Sequence, residues 1–157
     1  MKLAPSPAGG LRIEVEEADD WPLLYGILHD AESPGFDLAS HVGSVMQPSA
    51  DWLDWQEYVM PDIREGYQEH LKVVLTAIET AKLEAAGGPS TLWISRDDAF
   101  HWYAALNQAR LAIEELHHFG PGENVNPLHL PPSRRDAFFR SQLYCAIQSY
   151  LLDQGLG

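Results

Sequence analysis

The chain carries one cysteine, Cys145, among 157 residues. That excludes an internal disulfide framework and matches a reducing compartment. Bases are scarce as well: 10 Lys and Arg stand against 23 Asp and Glu, a formal net charge of −13. Nucleic-acid affinity comes largely from basic side chains that displace counterions, so no nucleic-acid partner is expected. Anionic lipid is set aside on the same ground. No stretch has the length of a membrane span, and "MKLAPSPAGG" lacks the apolar run of a signal peptide. Neither a G-x-S-x-G elbow nor a glycine-rich phosphate loop occurs. The expectation is a cytoplasmic protein with no membrane partner and no cofactor.

Hydrophobic residues, at 45%, are ample for a core. A chain of this size buries roughly two thirds of its unfolded surface, so it folds without a metal or disulfide. Residues 1–10 are rich in Pro and Gly and read as a loose N-terminal tail; residues 11–157 read as a single helical domain. "LRIEVEE" alternates Leu11, Ile13 and Val15 with Arg12, Glu14 and Glu16, the two-residue period of a strand with one buried face. Thr91 to Ile94 is a second short strand, and the two pair most economically with each other. A two-stranded ribbon is marginal alone, so it must lie against helices.

Helices account for the rest. In "ADDWPLLYGILHDAE", Asp19 or Asp20 can cap a helix, and Trp21, Leu24, Tyr25 and Leu28 form its stripe. Pro61 divides a short helix from a long one whose buried stripe is Ile63, Tyr67, Leu71, Val74, Ile78 and Ala81. Gly87 and Gly88 end it. A helix from Arg96 to about His118, with Ser95 as cap, buries Trp102, Leu106, Ala109, Ile113 and Leu116. After a Pro-rich loop, Ser133 caps a last helix carrying Phe138, Phe139, Leu143, Ala146, Ile147, Tyr150 and Leu151. The fold class is therefore mainly α, a bundle of about four main helices with a small two-stranded β-ribbon.

Beside the apolar stripe of the Arg96 helix runs a polar one: Tyr103, Asn107, Arg110 and Glu114. Asn107 suits a helix interior poorly, which points to a specific hydrogen bond. Arg110 and Glu114 are a turn apart and can pair. Two readings follow. In the structural one, Asn107 and Arg110 join helices by bonding carbonyls or a carboxylate such as Asp62, Glu65 or Glu69. In the functional one, Arg110 holds a carboxylate or phosphate in a cleft. The structural reading leads, because no second converging Arg accompanies Arg110.

Other residues have the types for chemistry without its pattern. Glu114 with His117, and Glu115 with His118, share the Glu-x-x-His spacing of di-metal bundles. The pattern is needed on two helices and occurs on one, so no metal is expected; His near a helix C-terminus is also favoured by the dipole. "HDAE" at His29–Glu32 reads as solvated capping at a helix end. Cys145 reads as a small buried hydrophobe. Trp52 and Trp55 read as core, or else as a patch for a partner helix.

"GGLRIEVEEADDWPLLYGIL" and "TLWISRDDAFHWYAALNQARLAIEEL" are two strand-then-helix openings. With the aromatic last helix they resemble a bacterial family of unknown function, one whose genes often lie beside that of the Clp-protease adaptor for N-terminal degrons. The family pattern W-x-x-x-L-N-D-x-R-L is matched by Trp102, Leu106, Asn107, Arg110 and Leu111, with Gln108 where an Asp is common. The resemblance implies a bacterial cytosolic helical protein linked to regulated proteolysis, and brings no catalytic residues. The leading expectation is a non-catalytic protein-binding or regulatory module, acting on a protein partner or by self-association, with homodimerisation supported by leftover aromatic stripes. The alternative is an enzyme with a small-molecule or metal site between helices near Arg110.

Overall fold

Alternation in "LRIEV" becomes a strand whose Leu11, Ile13 and Val15 are buried and whose Arg12 and Glu14 are half-exposed. A computed structural model describes residues 1–33, 36–43 and 52–154. In it the ribbon has three strands: β1 (Lys2–Pro5), β2 (Leu11–Val15) and β3 (Ser90–Ile94), antiparallel in that order. Leu11 pairs with Ile94 and Val15 with Ser90. Lys2 pairs with Glu14 and Pro5 with Leu11. Residues 1–10, expected as a tail, thus hold a strand. Their Pro and Gly residues build an edge and a hairpin turn, in which the Gly9 N–H donates to the Ser6 carbonyl at 3.0 Å. Gly10 is obligatory there: its φ is +86°, and a Cβ would fall 2.1 Å from the Ile94 carbonyl oxygen.

The helices are α1 (Asp20–Ala31), α2 (Leu38–Gly43), a single turn α3 (Trp52–Asp54), α4 (Met60–Glu84), α5 (Ala99–His117) and α6 (Pro132–Asp153). A π-helical stretch, Trp55–Val59, joins α3 to α4, with Pro61 in the first turn of α4. The break expected at Pro61 is therefore a widened turn just before it, where the missing N–H does no harm. Ala86 and Gly87 turn left-handed (φ 50° and 79°) and stop α4.

α5 is the central element, packed against α1, α4 and α6. Trp102, Leu106, Ala109 and Ile113 are buried as the spacing predicts, whereas Leu116 is exposed at the helix end. Trp21, almost wholly buried, sends its indole N–H to the Gly88 carbonyl at 3.1 Å. That bond fastens α1 to the turn leading into β3.

Local caps differ from expectation. The Asp20 carboxylate reaches back to the Glu16 and Glu17 N–H groups at 2.9 and 3.2 Å, and Asp19 makes no cap bond. Ser95 accepts from the Asp98 N–H at 3.1 Å, so it caps a turn, and α5 begins only at Ala99. α6 starts at Pro132, whose fixed φ supplies the start expected of Ser133.

Candidate functional site

The polar strip of α5 is not one set. Arg110 reaches across to α6, where its Nη1 donates to the Gln148 amide oxygen at 2.5 Å. The Gln148 amide nitrogen donates back to the Tyr103 carbonyl at 3.2 Å. The guanidinium therefore bridges α5 and α6 through a side-chain amide, not α5 and α4 through a carboxylate. The buried amide of α5 is that of Gln108, which donates to the Tyr67 carbonyl on α4 at 3.2 Å. Asn107 is half-buried one position along. Glu114 does not meet Arg110; its carboxylate accepts the Gly120 N–H at 3.0 Å and closes the turn after α5. Residues Tyr103, Asn107, Arg110 and Glu114 line none of the cavities described below.

"HDAE" is the segment where sequence reasoning missed most. Asp30 is buried, and the Arg140 guanidinium grips its carboxylate with Nε at 2.8 Å and Nη2 at 2.9 Å. The Tyr144 hydroxyl donates to the same carboxylate at 2.7 Å. Asp30 thus joins α1 to α6, and is not a solvated cap. Burial, with the adjacent Asp30 charge, pushes the Tyr144 phenol far above its ordinary value. The Asp30 bond raises Arg140.

Two histidines meet where α4 crosses α5. His70 and His101 face each other Nδ1 to Nδ1 at 2.9 Å, and His70 stacks edge-on against Phe100. Burial, then the neighbouring His101, lowers the His70 pKa. Among the described residues no group of three or more His, Cys, Asp or Glu comes together to hold a metal ion. His117 lies over Phe119 and His118 forms the left-handed helix cap. Cys145 is half-buried. The side chains of Trp52 and Trp55 lie outside the described residues.

The largest opening among those described is a groove of about 530 Å³ between α4 and β3. Val73, Thr76, Ala77, Thr80 and Ala81 make its helical wall; Leu92 and Trp93 make the other. Trp93 is 56% exposed, with the Arg12 guanidinium 5.9 Å from its ring centroid. Glu69, Lys72, Glu84 and Asp98 carry the charge around it. No sequence pattern announced this groove: its wall borders the core stripe of α4, and Ala81, expected in that stripe, lines the groove while it packs against the core. Smaller cavities lie between α1 and α6, at Leu23, Phe139 and Leu143, and beside Arg64, Tyr67 and Gln108. In the latter, burial opposes ionisation of Asp37, but Arg64 outweighs it and lowers the pKa.

These features define a small, mainly α-helical protein with a three-stranded sheet, whose most prominent surface feature is a groove at the sheet's edge. Residues 44–150 match the family described as a domain of unknown function, DUF2017. The match spans well over half of the chain, which belongs to that family. No curated protein and no solved structure matches it. The matched span holds α4, β3, α5 and most of α6, so the groove and Arg110 fall within it and Asp30 outside. Among the described residues no helix is long and apolar enough to cross a membrane.

Proposed function

We propose that the chain is a non-catalytic protein-binding or regulatory module. The observation that supports it most is the α4–β3 groove: a long apolar trough with an exposed tryptophan on one wall, the surface chemistry enriched at protein interfaces. Arg110 adds to this reading in one respect: its Nη1 is engaged by Gln148, and it lines none of the cavities described. The family resemblance extends the proposal to a bacterial cytosol and to regulated proteolysis, where a partner would be a protein of that machinery.

Solution mass and affinity capture test the reading together. The expected result is a stoichiometric protein partner retained at physiological salt. A strict monomer that retains no partner overturns it, as does catalytic turnover located in the same groove.

A further inference from the structure

We infer that the α4–β3 groove accepts an extended, basic segment of a partner protein, which adds to β3 as a fourth strand of the sheet. This deepens the binding-module reading and rests on it.

The two edges of the sheet are built differently. β1 carries Lys2 and Pro5, residues that blunt an edge against further pairing. β3 reads Ser-Thr-Leu-Trp-Ile, with neither a charge nor a proline. β2 occupies one side of β3, and among the described residues no other backbone bond reaches Ser90–Ile94. An edge of this kind is a template for an incoming strand.

Space exists where that strand must lie. The α4 wall from Glu69 to Glu84 is about 22 Å long at the helical rise. An extended segment covers such a length in about seven residues. Valine, threonine and alanine form this wall, and their small size leaves the room that larger side chains of a guest strand would fill.

Charge selects the guest. Glu69, Glu84 and Asp98 outweigh Lys72 around the groove, and Arg12 beside Trp93 is paired with Glu14, within a chain of net charge −13. A second copy would bring the same sign to the same groove, so like-charge repulsion opposes pairing of two β3 edges. A segment alternating basic and apolar residues satisfies both the rim and the walls.

The test uses the full chain and a peptide of about seven residues alternating lysine and valine, with a glutamate–valine peptide as charge control. The lysine peptide should bind saturably, slow amide exchange in Thr91–Ile94 at least tenfold, and shift Trp93 emission relative to a Trp93→Phe background. N-methylation of alternate peptide amides should abolish binding. Ala77→Trp, which fills the groove, should do the same while the protein still melts cooperatively. Glu69→Lys with Glu84→Lys, at exposed positions, should weaken binding about tenfold and serves where Ala77→Trp fails to fold. Absence of saturation at millimolar peptide, equal binding of both peptides, or binding without protection of β3 overturns the inference. So does a dimer of this chain that protects β3. A captured partner indifferent to Ala77→Trp would defeat strand addition while leaving the binding-module reading standing.

Discussion

Arg140 on α6 grips Asp30 on α1 with two parallel N–H donors, 2.8 and 2.9 Å from its carboxylate oxygens. Two-point geometry fixes both the distance and the rotation between the helices. Tyr144 completes the arrangement from the next turn of α6. Removing the carboxylate strands a guanidinium that still sees some solvent, its side chain being 30% exposed. Asp30→Ala should therefore cost about 2–3 kcal/mol, below the range of a fully enclosed pair. Tyr144→Phe should cost about 1 kcal/mol, since Arg140 remains. Urea unfolding of the two variants checks the ordering; equal losses would show that the hydroxyl, not the guanidinium, carries the carboxylate.

Arg110 and Gln148 form the second inter-helix tie, and their contributions should not add. Arg110→Ala should lower stability by about 1–2 kcal/mol, and Gln148→Ala should cost less once Arg110 is gone. A double-mutant cycle measures this coupling. Additive losses would mean that the two side chains act separately, and would reopen the question of what Arg110 faces.

His70 makes stability depend on pH in a definite direction. Burial and His101 hold its folded-state pKa below the ordinary value, so the unfolded chain takes up a proton first on acidification. Its contribution is complete above about pH 6.5 and is lost as pH falls through the lowered folded value. His117 shifts the same way, by burial and then by Arg134. The melting temperature should fall as pH drops below about 6.5, and His70→Gln should flatten that decline. An unchanged slope in the variant would assign the effect to other groups.

Gly10→Ala should be the most damaging change of a single methyl group. The added Cβ meets a backbone carbonyl of β3, which cannot rotate away as a side chain would. The positive φ adds strain of about 1 kcal/mol or more. The β1–β2 hairpin should lose register, visible as loss of amide protection in both strands. Gly87→Ala, which meets nothing within 4 Å, is the control: it carries the positive-φ penalty without the collision.

The helices were legible because their apolar stripes recur at three- and four-residue steps, and Leu71, Val74 and Ile78 are buried accordingly. β2 and β3 were legible from alternation and β-branched residues. β1 was not, since Pro5 and its glycine-rich turn read as disorder, and only pairing with β2 shows them to be an edge. Among polar residues, periodicity picked the right helix but the wrong partners. Arg110 joins two helices, but its acceptor is the neutral Gln148, 38 residues away on α6, which no spacing rule reaches. Asn107 and Gln108 are adjacent, and a shift of one position on a helix decides which amide is buried. Asp30 was missed for a related reason: its partners lie 110 and 114 residues along the chain.

The register that sets Leu11 opposite Ile94 has a consequence for biosynthesis. The hairpin formed by the first two strands emerges from the ribosome long before its third member, and a two-stranded hairpin alone is barely stable in water. Its buried face must wait through the synthesis of α1 and α4 for β3 to arrive. Nascent chains stalled before that point should remain protease-sensitive, and resistance should appear in one step only after α6, which carries Arg140 and Gln148, has emerged.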